Sequence, residues 1–142
     1  MNITGKWQGT LIYGEGYDEE SIGKSLDFEF DIIDTEGEIT ATGKDLNGHG
    51  YNSTGSYING FVDDDIISFI KQYNKGLTID EEGNEEYMPP EENYEVNYSG
   101  LYNHITKEFE GDWEIVTLME SIENPDEKFI HICSGTWKMH KV

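Results

Sequence analysis

The chain contains three tryptophans, and each stands two residues after a glycine: Gly5-Lys6-Trp7, Gly111-Asp112-Trp113 and Gly135-Thr136-Trp137. Residues two apart share one face of a β-strand. Each glycine therefore clears space beside its indole, or lets another backbone approach. The same unit at both ends of the chain points to one shared environment, the inside of a closed antiparallel barrel.

Period-2 alternation extends this reading along the chain. Trp7, Gly9, Leu11 and Tyr13 share a face of a first strand, 4–13. In the second, Leu26, Phe28, Phe30 and Ile32 alternate with Asp27, Glu29 and Asp31, one face buried and the other in water. Further strands are expected at 38–45, 50–59, 66–73, 94–102, 105–116 and 129–140. Strand 66–73 is apolar on both faces through Ile66, Ile67, Phe69 and Ile70, so it should be covered from outside. Asn47-Gly48 reads as a type I′ hairpin turn, and 117–128 as a link holding a short helical turn. The longest break, 74–93, is an acidic loop insertion. Eight successive strands predict one all-β domain over 1–142, a single up-and-down antiparallel eight-stranded barrel. Closure removes the unpaired edges an open meander would leave.

Gly5-Lys6-Trp7 is similar to the lipocalin opening motif Gly-x-Trp. Tyr98-Ser99-Gly100 followed by Gly111-x-Trp113 resembles the rhythm of avidin-like barrels. The chain thus resembles the calycin superfamily of lipocalins, fatty-acid-binding proteins and avidins. That resemblance implies a calycin-like barrel holding a small ligand inside. The lipocalin arginine that packs on the first tryptophan has no counterpart, Lys138 or Lys141 being the nearest substitutes. No residue-by-residue match to the biotin contacts of avidins exists, so no biotin activity is carried over.

Charge narrows the partners. Thirty acids stand against nine lysines and no arginine, a formal net charge of −21. Phosphate recognition needs cationic groups, so nucleic acid and anionic membrane surfaces are excluded as partners. With strand direction alternating, the links 14–24, 45–50, 74–93 and 117–129 gather at one end, a mouth carrying more than half of the acids. Its field favours a cation or a basic protein over a fatty acid. The chain enters structure at once, without an apolar leader or a long apolar run, so a soluble cytoplasmic protein is expected.

The single cysteine, Cys133, excludes an internal disulfide and reads as a small buried apolar side chain. His49, His104, His131 and His140 show no metal-ligand spacing, and no nucleophile elbow or phosphate-cradling loop occurs, so no metal, cofactor or catalytic residue is assigned. The residues favour a non-enzymatic barrel binding a small hydrophobic or cationic ligand at its acidic mouth. The candidate ligand-binding residues are Tyr13, Phe28, Tyr57, Tyr98 and Trp113, although plain interior packing is the simpler role for each. Trp7 and Trp137 are expected to plug the closed end. The other reading is an acidic protein-interaction module, an inhibitor or immunity-type protein neutralising a basic partner.

Overall fold

The computed structural model describes residues 1–79, 85–87, 94–120, 123 and 126–142. Its strands are β1 Gly5–Tyr13, β2 Ser25–Thr35, β3 Glu38–Gly48, β4 Ser56–Asp63, β5 Ile66–Tyr73, β6 Leu77–Ile79, β7 Glu85–Tyr87, β8 Val96–Asn103, β9 Glu108–Glu120 and β10 Lys128–Lys141. Eight of them close a barrel in the order β1-β10-β9-β8-β5-β4-β3-β2. Each neighbouring pair in it is antiparallel, and β1 closes the ring by pairing with both β2 and β10. The short β6 and β7 form a ribbon of their own within the long link between β5 and β8.

Alternation explains the barrel wall. On β2, Leu26, Phe28, Phe30 and Ile32 are buried while Asp31 and Ile33 are exposed. On β5, Ile67, Phe69, Lys71 and Tyr73 point inward. The outer face of β5 is not covered as expected: Ile66 is 51% and Ile70 41% exposed. The turns opposite the mouth are tight. Glu36 and Gly37 both have positive φ, 52° and 93°, as a two-residue type I′ hairpin requires. Beside them, the Asp34 carboxylate accepts from the amides of Gly37 and Ile3, which ties the N-terminus across the closed end.

Three boundaries differ from the sequence reading. β3 continues through Asn47 and Gly48, because β2 extends to Ser25 and a bulge at Asp27/Phe28 keeps the two strands paired. The turn therefore falls at 49–55, and β4 starts at Ser56 instead of at 50. Thr117–Glu120 belong to β9, paired to the start of β10, and are not helical. Residues 121, 122, 124 and 125 of that link lie outside the described residues.

The three Gly-x-Trp units do not share one environment. Two of them interlock. In the β9–β10 register Trp113 lies opposite Gly135, and Trp137 opposite Gly111. The indole N–H of Trp113 donates to the carbonyl of Thr136 at 3.1 Å, and that of Trp137 to Asp112 at 3.0 Å. Each tryptophan thus bonds the middle residue of the other unit. A Cβ on Gly135 would sit 2.7 Å from the Trp113 ring and collide with the carbonyl of Ile12. The third unit stands alone: the Trp7 indole donates to Ile3 and packs 5.4 Å from Phe109 at the closed end.

Trp7 lies at the closed end against Phe109, whereas Trp137, expected there too, does not. Trp137 occupies the middle of the barrel, edge-on to Phe69 and Tyr98 at 5.5 Å from each. Phe69 and Tyr98 stack at 4.6 Å, and Phe28 and Phe30 lie 4.6 Å apart, so aromatic rings fill this layer. Pairs of this kind add about 0.5–1.5 kcal/mol each beyond area burial.

Candidate functional site

The links after β1, β3, β5 and β9 gather at one end, where the interior is not filled. A cavity of about 50 Å³ lies there, lined by the aliphatic Leu11, Leu26 and Val96 and by the aromatic Tyr13, Tyr17, Tyr94 and Trp113. Lys71, Tyr73 and Tyr98 also line it. Larger depressions of about 750 and 530 Å³ lie on the outer wall, over β8–β10 and β1–β4, where they are open to solvent. The interior cavity carries the polar chemistry.

Of the sequence candidates, Tyr13, Tyr98 and Trp113 converge on this cavity. Phe28 is fully buried beneath it, its ring 5.9 Å from the Lys71 ammonium. Tyr57 is a correction. It is 56% exposed and lines the outer groove, because Ser56 and Ile58 take the inward positions of β4. Trp113 is held edge-on by Tyr13, with ring centres 5.8 Å apart, and Tyr17 covers both. The Tyr13 hydroxyl donates to the carbonyl of His49, which fixes that ring against the 49–55 link.

The residues that sequence reading passed over are Lys71, Tyr73 and Asp45. Lys71 is 1% exposed. Among the described residues its ammonium makes one hydrogen bond, donating to the Tyr73 hydroxyl at 3.1 Å. It faces the rings of Tyr73 at 4.7 Å and Tyr98 at 5.3 Å, whose negative π-faces attract a cation. Tyr73 in turn donates to the Asp45 carboxylate, 3.0 and 3.1 Å from its two oxygens. The amide of Asn52 donates to the same carboxylate. The late start of β4 makes this possible: with no strand between them there, β3 and β5 approach through side chains and the 49–55 link. Asp45, assigned to the charged mouth by sequence, is instead 6% exposed inside the barrel.

Burial acts on both ends of this relay. It pushes the Asp45 carboxyl up, against the pull of Lys71 and the hydrogen bonds from Asn52 and Tyr73. It lowers Lys71 to about 8, with Asp45 opposing. The same loss of water raises Tyr13, Tyr17, Tyr73 and Tyr98 far above the ordinary tyrosine value and Tyr94 to about 12, so their hydroxyls stay protonated donors. Tyr98 is the exception in bonding. Its hydroxyl is fully buried and has no hydrogen-bond partner among the described residues.

Lys71 makes stability depend on pH. Its folded value of about 8 lies below the ordinary 10.5, so between them the unfolded chain holds a proton the folded chain has released. Stability from this group rises from about pH 8 to about pH 10.5 and is lost as pH falls through 8. Lys71→Met is expected to remove that rise. Melting temperatures of both proteins across this range test it, and parallel curves would contradict it.

At the rim, Cys133 is half-buried rather than buried, its sulfur 3.3 Å from His131 Nε2. Both groups also contact the Gly16 carbonyl, at 3.5 Å from the sulfur and 3.1 Å from the ring nitrogen. An imidazole nitrogen that donates to a carbonyl cannot take the thiol proton, and burial raises the thiol further. This pair is therefore not an activated nucleophile. His49 Nε2 lies 3.0 Å from Ser21 Oγ, which anchors the 14–24 link over the mouth.

No protein-family model, curated protein or solved structure matches the chain. The site's own chemistry has to carry the functional argument.

Proposed function

We propose that this barrel is a non-enzymatic binding protein, calycin-like in use as well as in shape, that takes the head group of a small, mainly apolar ligand through its mouth. The observation that carries the reading is Tyr98, which lines the aromatic cavity and whose fully buried hydroxyl has no partner among the described residues. An unsatisfied buried hydroxyl costs about 1–3 kcal/mol. A ligand oxygen accepting from it recovers that cost on binding. Lys71 on the same wall favours an acceptor oxygen and disfavours the cationic ligand that net charge alone suggests. The cavity admits a head group only, since about 50 Å³ is far below the few hundred that enclose a drug-sized molecule.

Tryptophan fluorescence titrations with small ketones, amines and carboxylates test this, because Trp113 lines the cavity. Uncharged carbonyl compounds are expected to quench best. Tyr98→Phe is expected to weaken that binding about tenfold, yet to leave stability unchanged or raise it by about 1 kcal/mol, since it removes an unpaired group. Unchanged affinity in Tyr98→Phe, or preferred binding of amines, would count against the reading.

The exposed rim supports a second reading, an acidic interaction module. Glu15, Asp18, Glu19, Glu20, Glu123, Asp126 and Glu127 are all exposed around the mouth. Such a surface steers a basic protein, and its association rate should fall steeply with salt. A salt-insensitive rate would argue against it.

A further inference from the structure

We infer that Lys71 is a covalent capture point, its amine condensing with the carbonyl of a small aldehyde or ketone to form an imine inside the barrel. This rests on the pocket reading above and names its ligand class. Lys71 and Tyr98 line one cavity that opens at the mouth. Among the described residues the amine is tied only to the Tyr73 hydroxyl, and the Tyr98 hydroxyl to nothing. A primary amine and an unsatisfied donor, carried by two side chains in the wall of one small space, suit a group that is electrophilic at carbon and accepts at oxygen.

Other ligand classes fit less well. A carboxylate must pass an acidic rim and then shed its own hydration. An amine would meet the Lys71 ammonium. A neutral carbonyl does neither. Its size also fits: about 50 Å³ holds little more than one or two waters' share of volume, which suits a carbonyl and a short substituent.

The chemistry balances without an oxidant or reductant. The amine lone pair attacks the carbonyl carbon while Tyr98 Oη–H donates to the carbonyl oxygen. The C–N bond forms, the C–O bond breaks, and the oxygen leaves as water with the two amine protons. Burial supplies the free amine this needs. Burial lowers Lys71 to about 8, so near that pH far more of it is uncharged than of an ordinary lysine. The titratable groups facing it are Asp45, acting through Tyr73, and the tyrosines Tyr73 and Tyr98.

The test is reductive trapping on the full chain. The protein is incubated with acetaldehyde and cyanoborohydride at about pH 8, and N-ethylation is mapped by peptide mass spectrometry. Lys6 and Lys44, whose side chains are 50% and 64% exposed, serve as internal references. Lys71 is expected to be labelled at least about tenfold faster than these, despite its burial. Tyr98→Phe should slow Lys71 by about tenfold and leave the references unchanged, the loss of about one hydrogen bond to the reacting oxygen. Labelling of Lys71 no faster than that of Lys6 and Lys44 overturns the proposal. Quenching of tryptophan fluorescence by acetone with Lys71 unlabelled overturns the imine alone, whereas loss of both overturns the pocket reading with it.

Discussion

Asp45→Ala is expected to cost about 3–5 kcal/mol of folding stability at neutral pH, read from urea denaturation. The substitution removes the acceptor of both the Tyr73 hydroxyl and the Asn52 amide. It also strips the counter-charge from an ammonium that is 1% exposed. Removing one partner of a buried pair leaves the other charge uncompensated, and that exceeds the net worth of the pair. The penalty should shrink as pH rises past about 8, where Lys71 becomes neutral and needs no counter-charge. Adding Lys71→Met to Asp45→Ala should recover more than half of the loss, because an apolar chain of similar length asks for no partner. A penalty that is flat with pH, together with additive effects in the double variant, would show that Lys71 and Asp45 are not coupled.

Gly135→Ala is expected to cost about 3 kcal/mol, at the upper end of what overpacking usually costs. The added methyl meets the carbonyl of Ile12 on one side and the Trp113 ring, 2.7 Å away, on the other. Neither can retreat. The carbonyl belongs to the β1–β10 ladder, and the ring is held by Tyr13 and by its bond to Thr136. Gly23→Ala is the control. It has open space around it and φ of +85°, so its loss comes from the backbone alone, about 1–2 kcal/mol, with no contribution from crowding. Denaturation midpoints separate the two variants, and a shift in tryptophan emission should accompany Gly135→Ala alone. Equal losses in both would mean that the interlocked units do not constrain the wall.

Much of this site was written in the alternation. Lys71 shares parity with Ile67 and Phe69, and Asp45 with Ile39 and Ala41, so both were bound to face inward once their strands were recognised. A lysine on the apolar face of a strand was the readable signal. Tyr57 turns outward because the pairing of β4 with β3 sends the even positions Ser56 and Ile58 inward, and the large apolar residues of 50–59, Tyr51, Tyr57 and Ile58, do not share one parity. The Asn47-Gly48 turn failed similarly: local turn preference lost to two more residues of pairing with β2.

By itself the sequence determined the architecture. Period-2 patterning and the three Gly-x-Trp units specify strands, and eight antiparallel strands satisfy their edges by closing into a barrel. The tertiary structure alone decided how those units are used, since the cross-strand register places Trp113 over Gly135 and Trp137 over Gly111 and leaves Trp7 apart. It also decided the interior electrostatics: net charge is a sum over the chain and puts acid at the mouth, whereas inside the barrel folding strips water from an opposite pair, Lys71 and Asp45, beside a Tyr98 hydroxyl with no partner among the described residues.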